Sequence, residues 1–269
     1  MAEMIDVRQL PVADSVTVEA VKGACRIGKP VAPIAMAGAG IRAVEPAVSA
    51  AIKPGKERWP VKTGTDDDIA KVKKTVVPAT VEELRSIPRP SSMADPALVF
   101  PAFQRKRAGT TETTIWRVDC NITVIKLEQD GDYHLVLQGP SGDTIIAEIP
   151  TPDPPFVVAD SPFLDGIRRS RAAIDKKFGK TIAATQFLPM IKPENRNEVT
   201  NVPMAAFSAL PAGTRPLSFS ATAGGQFKMS VKPTKVRLTG VGFFDRKHDQ
   251  TGVAPNGIEL HPVLDVKFL

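Results

Sequence analysis

"TTIWRVDCNITVIKLEQDGDYHLVLQGPSGDTIIAEIP", residues 113–150, decides the fold. Its first part, 113–129, is rich in β-branched and aromatic residues and reads as one long strand. The DGD triplet at 130–132 is turn chemistry, and YHLVLQ at 133–138 is a second strand. GPSGD at 139–143 is another turn, and TIIAEIP at 144–150 a third strand. Strands joined by such tight turns predict an antiparallel meander.

Beyond the meander, 160–179 has the marks of a helix. Asp160 or Ser161 caps it, and Pro162 sits in the first turn. Phe163, Ile167, Ala173 or Ile174, and Phe178 form an apolar stripe, and Gly179 is the expected stop. After an irregular stretch, 235–245 and 257–269 read as two more strands. Three strands, a helix and two strands is the order of an OB-fold. The expected class is therefore mainly β: an OB-fold-like five-stranded barrel with one helix between strands 3 and 4. The long first strand can serve both sheets, and Gly240 and Gly242 allow a sharp bend. An open α+β sheet or a sandwich is the alternative.

The flanks read differently. Residues 1–55 form an Ala/Pro-rich N-terminal arm without a persistent period, too apolar for a solvated linker. It is expected to pack on the rest of the chain or on a neighbour. Residues 56–110 are a Pro-broken linker with one short helix at 78–88, where Thr80 is the N-cap and Glu83 completes a capping box. Residues 89–104 are expected to be extended, because each residue before a proline avoids helical dihedrals. The barrel then spans 111–269, with a basic segment inserted at 180–234. Within it, 217–233 reads as an extra hairpin turning at Gly224-Gly225.

Composition bounds the function. The chain has 269 residues, 25 of them proline, so it cannot be mostly helical. Its net charge of +6 favours acidic partners without choosing among them. The insertion and its edge hold Lys180, Lys192, Arg196, Arg215, Lys228, Lys232, Lys235 and Arg237 against Glu194 and Glu198. That surplus matches the whole net charge, and the polyanion-binding candidates are Lys192, Arg196, Arg215, Lys228, Lys232 and Lys235. The denser runs at 71–74 and 104–109 read as solvated surface. Two cysteines, Cys25 and Cys120, do not make a disulfide framework. Cys120 in mid-strand reads as a small buried residue. There is no signal peptide pattern and no apolar run long enough to span a bilayer, so a cytoplasmic location is expected.

DGDYHLVL, IIAEIP, TGVGFFDRKHDQTGVAPNGIELHPVL and the upstream KERWPVKTGTDDD resemble an uncharacterised bacterial family. Its members combine a D-x-D-x-H strand with a C-terminal E-x-H-P-V strand. The resemblance covers 55–179 and 235–269. It implies an OB-like barrel and brings no established activity.

The chemistry-bearing residues lie in the barrel. Alternation puts Tyr133, Leu135 and Leu137 on one face of their strand and His134 on the other. In the last strand Glu259, His261 and Asp265 point away from Ile258, Leu260, Leu264 and Val266. Asp132, His134, Glu259 and His261 are therefore the candidate catalytic or metal-ligating set, open to one divalent metal ion. Imidazole with carboxylate suits Zn²⁺, Mn²⁺ or Fe²⁺, and carboxylates as the main ligands would suit Mg²⁺ or Ca²⁺. The competing expectation is a structural His–carboxylate network that satisfies buried polar groups. No P-loop, Rossmann fingerprint or nucleophile elbow is present. Aromatics are 6%, too few for an obvious base-stacking platform.

Three function classes follow. The first is a non-enzymatic binding or assembly protein contacting a polyanion, nucleic acid included, or a protein. The second is a metal-dependent hydrolase, phosphodiesterase-like, using the His/Asp/Glu cluster. The third is a structural subunit held in a larger assembly, or to its own copies, by the arm.

Overall fold

The computed structural model describes residues 54–94, 101–186, 199–208, 210–222, 226–246 and 250–269. Residues 1–53 of the arm, Cys25 among them, and Lys192, Arg196, Gly224, Gly225 and His248 lie outside them.

The described chain is mainly β with one main helix. The strands are β1 (Val76–Pro78), β2 (Ile115–Leu127), β3 (Tyr133–Gln138), β4 (Thr144–Ile149), β5 (Val199–Asn201), β6 (Ser218–Thr222), β7 (Phe227–Phe244) and β8 (Ile258–Phe268). The helices are α1 (Trp59–Thr63), α2 (Val81–Ser86) and α3 (Leu164–Gln186). β2 pairs antiparallel with β3, and β3 with β4, as the tight turns require. β4 then runs parallel to β8, β8 antiparallel to β7, and β7 antiparallel to β2. Five strands thus close a ring within a mixed sheet, and β6 and β5 extend it beyond β7. β6 and β7 are the two arms of the expected hairpin.

Closing a ring demands bent strands, and bulges bend them. β2 changes register between Ile122 and Val124, so it can face both β3 and β7. The β7–β8 ladder shifts on either side of Gly240. Glycine at 242 also answers a close approach. A Cβ there would collide with the Thr111 carbonyl oxygen and lie 2.8 Å from Nε1 of Trp116.

One face of each ring strand feeds a single apolar core. It includes Val118, Ile122, Leu135, Leu137, Ile145, Ala147, Leu238 and Leu260. α3 adds Ile167, Ile174 and Phe178, the stripe expected from its sequence. The helix does not stop at Gly179 but continues to Gln186. A single helical glycine costs only about 1 kcal/mol. Phe178, edge-on to Phe268 with centroids 5.9 Å apart, fixes that turn on β8.

The segment before the ring is tied together by buried charges, and its Arg58 guanidinium reaches the ring by donating to the Phe244 carbonyl at 2.9 Å. The Arg58 guanidinium pairs with Glu112 at 2.7 Å and that of Arg107 with Asp66 at 2.7 Å, all four fully or nearly fully buried. α2 carries the expected capping box: Thr80 Oγ1 accepts from Glu83 N–H, and the Glu83 carboxylate from Thr80 N–H. Residues 89–104 are not simply extended; Ser91–Met93 form a 3₁₀ turn whose Met93 is buried.

Candidate functional site

Four buried apolar side chains stand apart from the main core: Val61, Val136, Ile146 and Phe243. They mark the opposite, outer face of the ring. His134 and Val136 alternate on β3, Ile146 and Glu148 on β4, and Glu259 and His261 on β8. In the β3–β4 ladder His134 stands directly across from Glu148, and in the β7–β8 ladder Phe243 stands across from Glu259. An outer strand face normally meets water. This one is covered by α1 and by the β7–β8 loop, where a Cβ at Gly252 would lie 2.8 Å from Val136. His261 and Asp132 are 0% exposed, His134 and Glu259 1%, Glu148 3% and Lys62 8%.

Glu148 is the hub. Its Oε1 lies 3.1 Å from Nδ1 of His134, and its Oε2 lies 2.8 Å from Nδ1 of His261 and 3.5 Å from Nζ of Lys62. His134 also meets the Thr251 carbonyl through Nε2 at 3.0 Å. Both its ring nitrogens therefore face acceptors, which only the doubly protonated imidazolium satisfies. Burial works against that charge, but Glu148, and then Glu128, raise the His134 pKa. His261 is different. Burial, then the neighbouring Lys62 charge, push its pKa down. Its Nδ1 is close to Glu148 but not aligned as a hydrogen bond, and Nε2 lies 3.5 Å from Asp132 Oδ2.

The carboxylates divide in the same way. Burial alone would raise Glu148, but Lys62 and the two histidines hold it well below the usual range. Burial, then Asp130 and Glu148, raise Asp132 well above it. Burial, then Asp245 and Glu148, do the same to Glu259. Desolvation would lower Lys62, yet Glu148, Asp245, Asp132 and Glu259 keep it well above its ordinary value.

Of the four residues expected from sequence, Asp132 and His261 meet at one point with Glu148. Their donor atoms lie within 4.8 Å of one another. His134 belongs to a second group with Glu128 and Glu148. Glu259 is buried beside them, but neither group includes it. Asp265 is exposed, beyond the bulged part of β8, and does not join Glu259 and His261. Glu148 and Lys62 were not foreseen. Glu148 had a signal: a five-residue connection between 138 and 144 places 148 across from His134.

Cys120 is buried, and burial pushes its thiol up to about 12, so it is inert as a nucleophile. Among the polyanion candidates, Arg215 is engaged by the Leu210 and Ser208 carbonyls, and Lys228 donates to Thr251 Oγ1. Lys232 and Lys235 are exposed. Comparison with protein-family models, curated proteins and solved structures finds no match. Among the described residues no helix is long and apolar enough to cross a membrane.

At the rim, Glu57 has its carboxyl pushed up to about 7 by partial burial and by Asp245, against opposing pulls from Lys62, Arg246 and Arg58. The folded state then holds a proton that the unfolded chain has released above its ordinary 4.5. Stability from this group is present below that value and falls as pH rises to about 7. Glu57→Gln should flatten that decline. Urea unfolding of both forms across this range checks it, and an unchanged slope would remove Glu57 as the cause.

Proposed function

We propose that the chain is a non-enzymatic binding or assembly protein on an OB-fold-like barrel, with a polyanion as the partner of its β2–β7–β8 face. The order β2-β3-β4-β8-β7 around the ring, with α3 between its third and fourth strands in sequence, supports the OB reading. The burial of Asp132, His134, Glu148, Glu259 and His261 argues against a substrate reaching them in this conformation.

The observation that carries the partner is the solvent face of β2, β7 and β8. In the ladders Asp119, Arg237 and Lys267 stand side by side, Lys235 stands across from Asn121, and Arg117 across from Thr239. Arg117, Lys235, Arg237 and Lys267 outnumber Asp119 and Asp265 there. Among the described residues the ion pair on that face is Arg237 with Asp119 at 2.6 Å. Among the described residues the exposed large apolar side chains are Val76, Val77, Val158, Leu217 and Leu269, with no aromatic among them. Phe243 and Phe244 are fully buried, and the Tyr133 hydroxyl is tied to Asp175. Contact would therefore be to phosphates rather than by base stacking.

Anisotropy of labelled single-stranded DNA and labelled polyphosphate, titrated with salt, tests this. Binding should weaken linearly in log–log form, and Lys235→Ala with Lys267→Ala should lower both affinity and slope. No binding of either probe at low salt would overturn the polyanion reading.

A further inference from the structure

We infer that Asp132, Glu148 and His261 form a binding site for one divalent first-row transition-metal ion, enclosed between the outer face of the ring and α1. The argument does not depend on the polyanion reading.

Convergence alone would not make a site, since buried acids can share protons. The independent observation is that the converging atoms of Asp132 and His261 lack hydrogen bonds. Both carboxylate oxygens of Asp132 and both ring nitrogens of His261 are buried without a hydrogen-bond partner, and so is Oε2 of Glu259. Proteins seldom leave such groups unsatisfied, because each costs on the order of 1–3 kcal/mol. Two ligands of one ion at bond lengths of about 2.0–2.2 Å stand at most about 4.4 Å apart, so three donor atoms within 4.8 Å of one another need only a small inward shift to share it.

Acidic side chains crowd the same place: Glu148, Asp245, Asp132 and Glu259 all act on Lys62. The surroundings also hold the ligands in place. His134 Nδ1 grips the Glu148 oxygen that faces away from His261, while the Thr251 carbonyl fixes the far side of the His134 ring. Phe243, with its centroid 5.5 Å from that of His261, limits the other imidazole. One imidazole and two carboxylates suit Zn²⁺, Mn²⁺ or Fe²⁺. Ca²⁺ wants six to eight oxygens and Mg²⁺ keeps several waters, which a sealed site serves poorly.

The test is equilibrium dialysis of the full chain against Zn²⁺ or Mn²⁺, elemental analysis, and thermal melts with and without the ion. Wild type should retain one ion per chain and melt higher when loaded. Asp132→Asn keeps the shape and breaks no hydrogen bond, so it should fold and lose both effects. His261→Gln should lose retention too, while Glu259→Gln keeps it. Absence of retained ion in folded wild type would overturn the site. So would equal retention by Asp132→Asn, or retention of Mg²⁺ or Ca²⁺ in preference. If His261→Gln fails to fold, Asp132→Asn decides alone.

Discussion

Arg58→Met should destabilise the protein by about 3–5 kcal/mol in urea unfolding, among the largest effects of any single substitution. Arg58 is completely buried. Its guanidinium donates to both Glu112 oxygens and to the carbonyls of Phe103, Lys106 and Phe244. Glu112 accepts in addition from the amides of Ala108 and Phe244. Removing the cation strands a buried carboxylate and several carbonyls at once. The same contacts join the segment before the ring to the end of β7, so the loss should also split unfolding into two steps. A single transition with wild-type midpoint would mean that the pair contributes nothing to docking. Adding Glu112→Leu to Arg58→Met should restore part of the stability, because the stranded charge is then gone.

Glu148→Ala should cost a similar amount, about 3–5 kcal/mol, for a related reason. Lys62 lies 86 positions away in sequence, yet it is buried against this carboxylate and over the Phe243 ring. Without Glu148, the Lys62 ammonium and the His134 imidazolium lose their nearest counter-charge. Lys62→Met in the Glu148→Ala background should recover stability, where the same change alone should lower it. Denaturant titration of the four proteins in metal-free buffer gives the coupling. Additive effects would show that Lys62 and Glu148 do not depend on each other.

Much of the ring was legible in advance. The β2–β4 meander follows from DGD and GPSGD, and the α3 stripe from its spacing. Alternation set His134 apart from Leu135 and Leu137, which is why it lies outside the main core. The error about Asp265 has the same root. Alternation assumes an unbroken strand, and β8 is bulged past His261. Four of the six members of the cluster could be read, and Lys62 could not because the roof comes from elsewhere. Nothing local in KERWPVK marks Arg58 and Lys62 as buried, since a cation goes inside only when distant carboxylates await it. The segment reads as a Pro-broken linker for that reason, although Val61, Leu84 and Met93 are among its buried anchors. Helix α3 passes Gly179 because contact with β8 outweighs a weak local preference.

The ring closes between β4 and β8 over two residue pairs only, Ile146 with Glu259 and Ala147 with Leu260. Every other junction of the ring is a longer antiparallel ladder. Mechanically this is a hoop with one short seam, and any force that opens the hoop concentrates there. Glu148 and His261 lie just beyond the last paired residues and reach across the same seam. Whatever draws those two side chains together acts as a clasp, so ion capture and hoop closure become one event rather than two.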